Sequence, residues 1–98
     1  MQYHRIVENV EQAAALLRAL SQDVRLRMLC TLVEREASVG DLAREMKLSQ
    51  PATSQQLQAL RLSGLVESRR DGLCAYYRCE DPKIKSLMDA ASGIFAEM

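Results

Sequence analysis

The chain has no tryptophan, one phenylalanine and three tyrosines. Any core in its 98 residues must therefore be built from Leu, Ala, Val and Met. It also lacks charge of one dominant sign, because thirteen Lys and Arg balance thirteen Asp and Glu. Bulk polarity thus gives no sign of a nucleic-acid or membrane partner. No apolar run approaches the roughly 20 residues needed to span a bilayer. The start, Met1-Gln2-Tyr3-His4-Arg5, has none of the apolar stretch of a secretory signal. A soluble, cytoplasmic chain with no membrane partner is the expectation. The cysteines Cys30, Cys74 and Cys79 are odd in number and form no C-x-x-C pair, which excludes a secreted disulfide framework. There is no Ser/His/Asp set, Gly-rich phosphate loop or paired-carboxylate cleft, so no enzyme is expected.

What is present is apolar enough, at 48%, to exclude disorder. The length allows one domain, residues 1–98. A domain of this size buries only about two-thirds of its unfolded surface and is marginal alone. A homodimer that covers one more helical face would relieve this.

Apolar spacing at Val10, Ala13, Ala14, Leu17 and Leu20 predicts a helix over about 8–20. After Ser21-Gln22-Asp23, Leu26, Leu29, Cys30 and Val33 form a second stripe with Met28 and Leu32 beside it, which reads as a central helix. Ser38-Val39-Gly40-Asp41 starts a third helix carrying Leu42, Ala43 and Met46. Ser49 suits an N-cap and Pro51 a first turn, so a fourth helix runs from about Gln50, with Leu57 and Leu60 inward, to Ser63-Gly64. Then Leu65–Arg70, Asp71-Gly72 and Leu73–Cys79 read as strand, turn and strand. Pro82 opens a last helix with Ile84, Leu87, Met88, Ala91 and Phe95 on one stripe. Both prolines and all four glycines read as punctuation. The order is α-α-α-α-β-β-α, a mainly α fold with a β-hairpin. Met28, Met46 and Met88 fall at core spacing, and His4 reads as solvated in a flexible terminus.

The fourth helix carries Gln50, Thr53, Ser54, Gln55, Gln56, Gln58 and Arg61 on its outward side. No acidic residue occurs from Met46 to Val66. Gln can pair bidentately with adenine, Ser and Thr can serve bases or phosphates, and a carboxylate here would repel phosphate. Such a face alone is as well explained by a solvated surface. The hairpin shifts the balance, with Arg69 and Arg70 before its tip and Arg78 on the return strand. Strand alternation puts Arg69 and Arg70 on opposite faces, and at a protruding tip either could reach phosphate or a minor groove. A helix-turn-helix over about 38–63 with a basic hairpin over about 65–79 is a winged helix, a reader of double-stranded DNA. The competing reading is a winged-helix module for protein–protein docking, favoured by the neutral net charge.

The stretches Ala19-Leu20-Ser21-Gln22-Asp23-Val24-Arg25-Leu26-Arg27-Met28-Leu29-Cys30 and Leu48-Ser49-Gln50-Pro51-Ala52-Thr53-Ser54-Gln55-Gln56-Leu57, continuing through Leu60-Arg61-Leu62-Ser63-Gly64-Leu65-Val66 to Tyr76-Tyr77, carry a resemblance. The chain resembles the ArsR/SmtB family of bacterial winged-helix repressors over almost its whole length. The resemblance implies a homodimer joined by the helices at about 8–20 and 83–96, and an inverted-repeat operator released by an inducer. It puts Ser49, Gln50, Thr53, Ser54, Gln55 and Gln56 where the family's recognition helix meets DNA, and makes the hairpin its wing.

The family's thiolate metal pair is absent, since Ser38-Val39-Gly40 occupies its place, and no His follows His4 to serve the zinc site on the last helix. No metal site and no resident cofactor are expected. The thiol-sensing BigR/HlyU/YgaV-like subgroup is the nearest resemblance, with Cys30 at the first sensing position. Ala96 stands where the second cysteine of that subgroup belongs, so the intramolecular bridge is missing. Derepression by reactive sulfur or an oxidant at Cys30 is one expectation. Cys74 and Cys79, five apart on one strand, do not chelate one ion together, although either can oxidise. The blander reading of each thiol is a small buried hydrophobe. A soft metalloid such as arsenite, bound by Cys30, Cys74 or Cys79, is the alternative inducer.

Overall fold

A computed structural model describes residues 2–98. In chain order these form α1 (His4–Glu8), α2 (Val10–Ala19), α3 (Asp23–Glu34), β1 (Ala37–Ser38), α4 (Val39–Met46), α5 (Gln50–Leu62), β2 (Glu67–Asp71), β3 (Cys74–Arg78) and α6 (Pro82–Ile94). The mainly α chain with a hairpin wing is as the sequence predicts. Two elements go beyond it. The N-terminal helix breaks at Asn9, so His4 opens a short helix of its own. A two-residue strand, β1, pairs with the return strand of the hairpin and makes a three-stranded sheet in the order β1-β3-β2.

Local signals set the helix ends. The Gln22 side chain accepts from Arg25 N at 2.7 Å to start α3, Ser38 Oγ from Asp41 N at 3.1 Å to start α4, and Ser49 Oγ from Ala52 N at 3.1 Å to start α5. Each such cap is worth about 1 kcal/mol. At the end of α5, Leu65 N donates to Leu60 O and Gly64 N to Arg61 O, both at 3.0 Å, with Gly64 at φ +77°. That left-handed closure suits glycine. Lys47 closes α4 in the same way at φ +56°, without glycine's freedom. Not every glycine punctuates, since Gly40 lies in the first turn of α4 and Gly93 inside α6.

The core forms where α3 meets the helix-turn-helix and the sheet. Met28, Leu29 and Leu32 of α3 are buried with Leu42 and Met46 of α4, Leu57 and Leu60 of α5, Val66, Tyr77 and Ile84. Met28 and Met46 are thus core residues, and the partly buried Met88 packs against the core cluster. Cys79 N donates to Leu32 O at 3.0 Å and ties the end of the wing to α3. The α3 stripe is only half internal, because Leu26 and Cys30 lie at the surface.

The hairpin turn sits one residue later than Asp71-Gly72. Asp71 still pairs with Cys74, which leaves Gly72 and Leu73 as the loop. A two-residue hairpin loop of the primed kind needs positive φ at its first position. Gly72 supplies it at +64°.

The terminal helices are poorly covered. Tyr3, Ile6, Val7, Val10 and Leu17 at one end of the chain, and Ile94, Phe95 and Met98 at the other, are all more than half exposed. The radius of gyration is 14.7 Å, against about 13 Å for a compact domain of this length, because these helices project. No described helix is long and apolar enough to cross a membrane.

Candidate nucleic-acid interface

The reading surface starts with why α5 turns its glutamines outward. Thr53, Leu57 and Leu60 recur at i, i+4 and i+7 and are fully or almost fully buried, which fixes the rotation of the helix. Gln50, Gln55, Gln58 and Arg61 then lie exposed, while Ser54 and Gln56 sit half-buried on the shoulders. Ser49 is exposed at the N-terminus, and its hydroxyl, although it caps the helix, keeps a proton to donate.

Thr53 corrects the outward set. It is 0% exposed, and its hydroxyl donates to Ser49 O at 2.9 Å. Its side chain therefore belongs to the core and holds the first turn of α5. The apolar template of 3.6 residues per turn includes position 53, but a threonine there reads as polar unless the Leu57 and Leu60 stripe is extended backwards. Arg61 donates to Gln58 Oε1 from Nε at 3.2 Å and from Nη2 at 3.0 Å, so these two present one joined polar unit.

The wing stands beside this helix. Gln50 and Ser54 share a groove with Ser38 and with Leu73, Cys74 and Ala75 of the wing. The β2–β3 register places Arg69 opposite Tyr76 and Arg70 opposite Ala75, so the two arginines leave opposite faces. Arg70 is exposed, and its strand partner Ala75 lines the groove. Arg69 is committed elsewhere. Its Nε and Nη2 each donate to Glu36 at 2.7 Å, and its guanidinium lies 4.8 Å from the centre of the Tyr76 ring. The Arg69 fork holds the Glu36 carboxyl below its ordinary range. The two arginines of the wing thus differ, Arg69 held within the protein and Arg70 open.

Charge is sorted locally, although it cancels over the chain. Around the helix-turn-helix, Glu36 pairs with Arg69, Asp41 with Arg44, and Glu45 with Arg35. Arg78 on the return strand of the wing pairs with Glu80 at 3.3 Å. Lys47, Arg61 and Arg70 are in no ion pair among the described residues, and they lie exposed near an acid-free α5. Lys47 carries no sequence signal of its own. Its place in the turn between α4 and α5, just before the N-terminus of α5, is what brings it to this surface.

The thiols are dispersed. Cys30 is exposed on α3, Cys74 is exposed in the groove beside Gln50, and Cys79 is buried. The buried-hydrophobe reading therefore holds for Cys79 and fails for Cys30 and Cys74. Burial pushes the Cys79 thiol above its ordinary range, which disfavours the nucleophilic thiolate. No group of three or more His, Cys, Asp or Glu is gathered among the described residues to hold a metal ion.

A capped, acid-free helix across a short turn from its partner, flanked by a β-hairpin, defines a winged helix-turn-helix protein of the DNA-binding class. Residues 22–68 match the family described as bacterial regulatory protein, arsR family. The chain is 44% identical over 88 residues to the biofilm growth-associated repressor of Xylella fastidiosa, covering 90% of this chain and 77% of that protein. The crystal structure of the transcriptional repressor BigR from Xylella fastidiosa superposes with a TM-score of 0.89 at 42% identity, covering 97% of both chains. Reduced HlyU from Vibrio cholerae superposes with a TM-score of 0.84 at 32% identity, covering 95% of this chain and 98% of that one. The chain belongs to the ArsR family, whose members are DNA-binding transcriptional regulators and not enzymes.

Proposed function

We propose that the protein is a transcriptional repressor acting in the cytoplasm, which binds an inverted-repeat operator as a homodimer and is released by modification of a thiol. The observation that carries the DNA reading is the outward face of α5. Gln50, Gln55 and Gln58 stand exposed with no carboxylate from Met46 to Val66, and Arg70 lies on the neighbouring wing. A protein-docking face has no reason to exclude acids, so the interaction-module reading is the weaker one. Ser49, Ser54, Gln56 and Arg61 complete the contact set, and Lys47 joins it.

The exposed apolar residues of α1, α2 and the end of α6 support a homodimer, since a second copy would cover both ends at once. A two-fold dimer presents two α5 helices and reads half-sites about one helical turn apart. Cys30 is the sensing thiol of this reading, exposed on α3 and open to reactive sulfur or an oxidant. A relative whose structure is of a reduced form supports redox chemistry as the class of signal. With Ala96 at the partner position, Cys30 is capped by the inducer itself rather than closed to a second cysteine. The test is a mobility shift on genomic fragments before and after polysulfide, peroxide or arsenite, with intact mass recorded in parallel. Added mass on Cys30 with loss of the shifted band is expected. Normal release in Cys30→Ser contradicts the sensing part alone.

A further inference from the structure

Glu36 follows α3 and directly precedes β1, so it sits where the helical body passes into the sheet. Both of its carboxylate oxygens are taken by Arg69 of β2, which donates from Nε and Nη2 at 2.7 Å each. The guanidinium is stacked over Tyr76 of β3, the residue opposite Arg69 in the hairpin. Two residues beyond Glu36, Ser38 pairs with Tyr76 and also caps α4 through Asp41 N. One short stretch, residues 36–38, is therefore fastened to the wing at one end and begins the helix-turn-helix at the other.

We propose that Arg69 is a positioning residue which, through Glu36 and Tyr76, fixes the pitch of the wing relative to α4 and α5, and is not a phosphate contact. The proposal rests on the DNA-binding reading and names a device within it. The two side chains are 54% and 30% exposed, so the pair adds little to global stability. Its planar two-bond fork is instead a geometric restraint, of the kind a lysine cannot reproduce. Without it, the base of the hairpin is still held by Tyr77 in the core and by Cys79 N on Leu32 O. But β1 and β3 share only the two register pairs Ala37 with Tyr77 and Ser38 with Tyr76, which leaves the projecting part of the wing free to tilt. With the wing free to tilt, Arg70 would meet the duplex at many angles, at a cost in ordering on binding.

The test turns on sign. Glu36→Gln removes a negative charge from the sheet face opposite Arg70, which by electrostatics alone tightens DNA binding slightly or leaves it unchanged. The positioning role predicts the reverse, a loss of about fivefold or more in operator affinity. Arg69→Lys keeps the charge and is expected to lose as much. In the double reversal Glu36→Arg with Arg69→Glu the fork is rebuilt, and affinity returns to within about threefold of the unmodified protein. In the free protein, amide exchange in β2 and β3 rises in Glu36→Gln while that of α5 holds. The inference is overturned if Glu36→Gln binds as tightly as, or tighter than, the unmodified protein, or if the double reversal stays as weak as Arg69→Glu. An unmodified protein that bound no duplex at all would instead overturn the DNA reading, and the positioning role with it.

Discussion

Thr53 donates its hydroxyl to the Ser49 carbonyl oxygen at 2.9 Å, and the same oxygen takes the Thr53 backbone N–H at 3.0 Å. Ser49 in turn caps α5 with its own side chain. The start of the reading helix is thus locked from inside, and the residues that face outward are not the ones that hold it. Thr53→Val should cost about 1 kcal/mol of stability for the lost buried hydrogen bond. Sequence choice on DNA should not change. Gln55→Ala, in contrast, should leave stability intact and relax base preference at one position of each half-site, by about 1–3 kcal/mol if the glutamine pairs bidentately. Selection from random duplexes followed by urea denaturation separates the two effects.

Arg70 is exposed and in no ion pair among the described residues, so the proposed DNA-binding role makes it the wing's phosphate contact. Arg70→Ala should weaken all duplexes alike and lower the slope of log K against log salt by about one per protomer. Arg69→Ala should weaken binding with that slope unchanged. A salt series on each variant checks this, and an unchanged slope in Arg70→Ala would remove the wing from the interface.

Glu36 has a folded-state pKa below its ordinary value, because Arg69 hydrogen-bonds and attracts the ionised form. A lowered acid contributes stability that is present above its unfolded pKa and lost as pH falls through the folded one. The stability difference between the unmodified protein and Glu36→Gln should therefore be flat from neutral pH down to the ordinary glutamate range near 4.5, and shrink below it. Denaturation at a series of pH values measures this. A difference that already fades between pH 8 and 6 would assign the effect to some other group.

Leu17 on α2 and Phe95 just past the end of α6 are 57% and 60% exposed. Leu17→Glu should keep the fold, since the residue is outside the core, and should halve the mass seen by sedimentation. Operator affinity should fall with it, because one copy reaches only one half-site. A variant that sediments unchanged would place the interface elsewhere.

The helices and the wing were legible because each rests on a local pattern: apolar spacing, a cap, a Gly-stopped helix or a turn between two strands. What stayed hidden depends on contacts distant in sequence. The two-residue β1 has no periodicity to reveal it and exists because Ala37 and Ser38 meet Tyr77 and Tyr76. The pairing of Arg69 with a carboxylate 33 residues earlier is equally silent in the sequence, so two adjacent arginines look alike until the register separates them. Thr53 looks outward in the sequence because its side chain is polar, yet it is buried because a carbonyl one turn away accepts its proton. Cys30 lay on an apolar stripe that only half enters the core.

The most direct measurement of the central claim is a fluorescence anisotropy titration of the protein onto an inverted repeat recovered by selection, beside the same duplex with both half-sites scrambled. At moderate salt the account predicts one dimer per repeat and affinity at least about a thousandfold tighter than for the scrambled duplex. Equal affinity for both duplexes, or no binding to either at low salt, would contradict it.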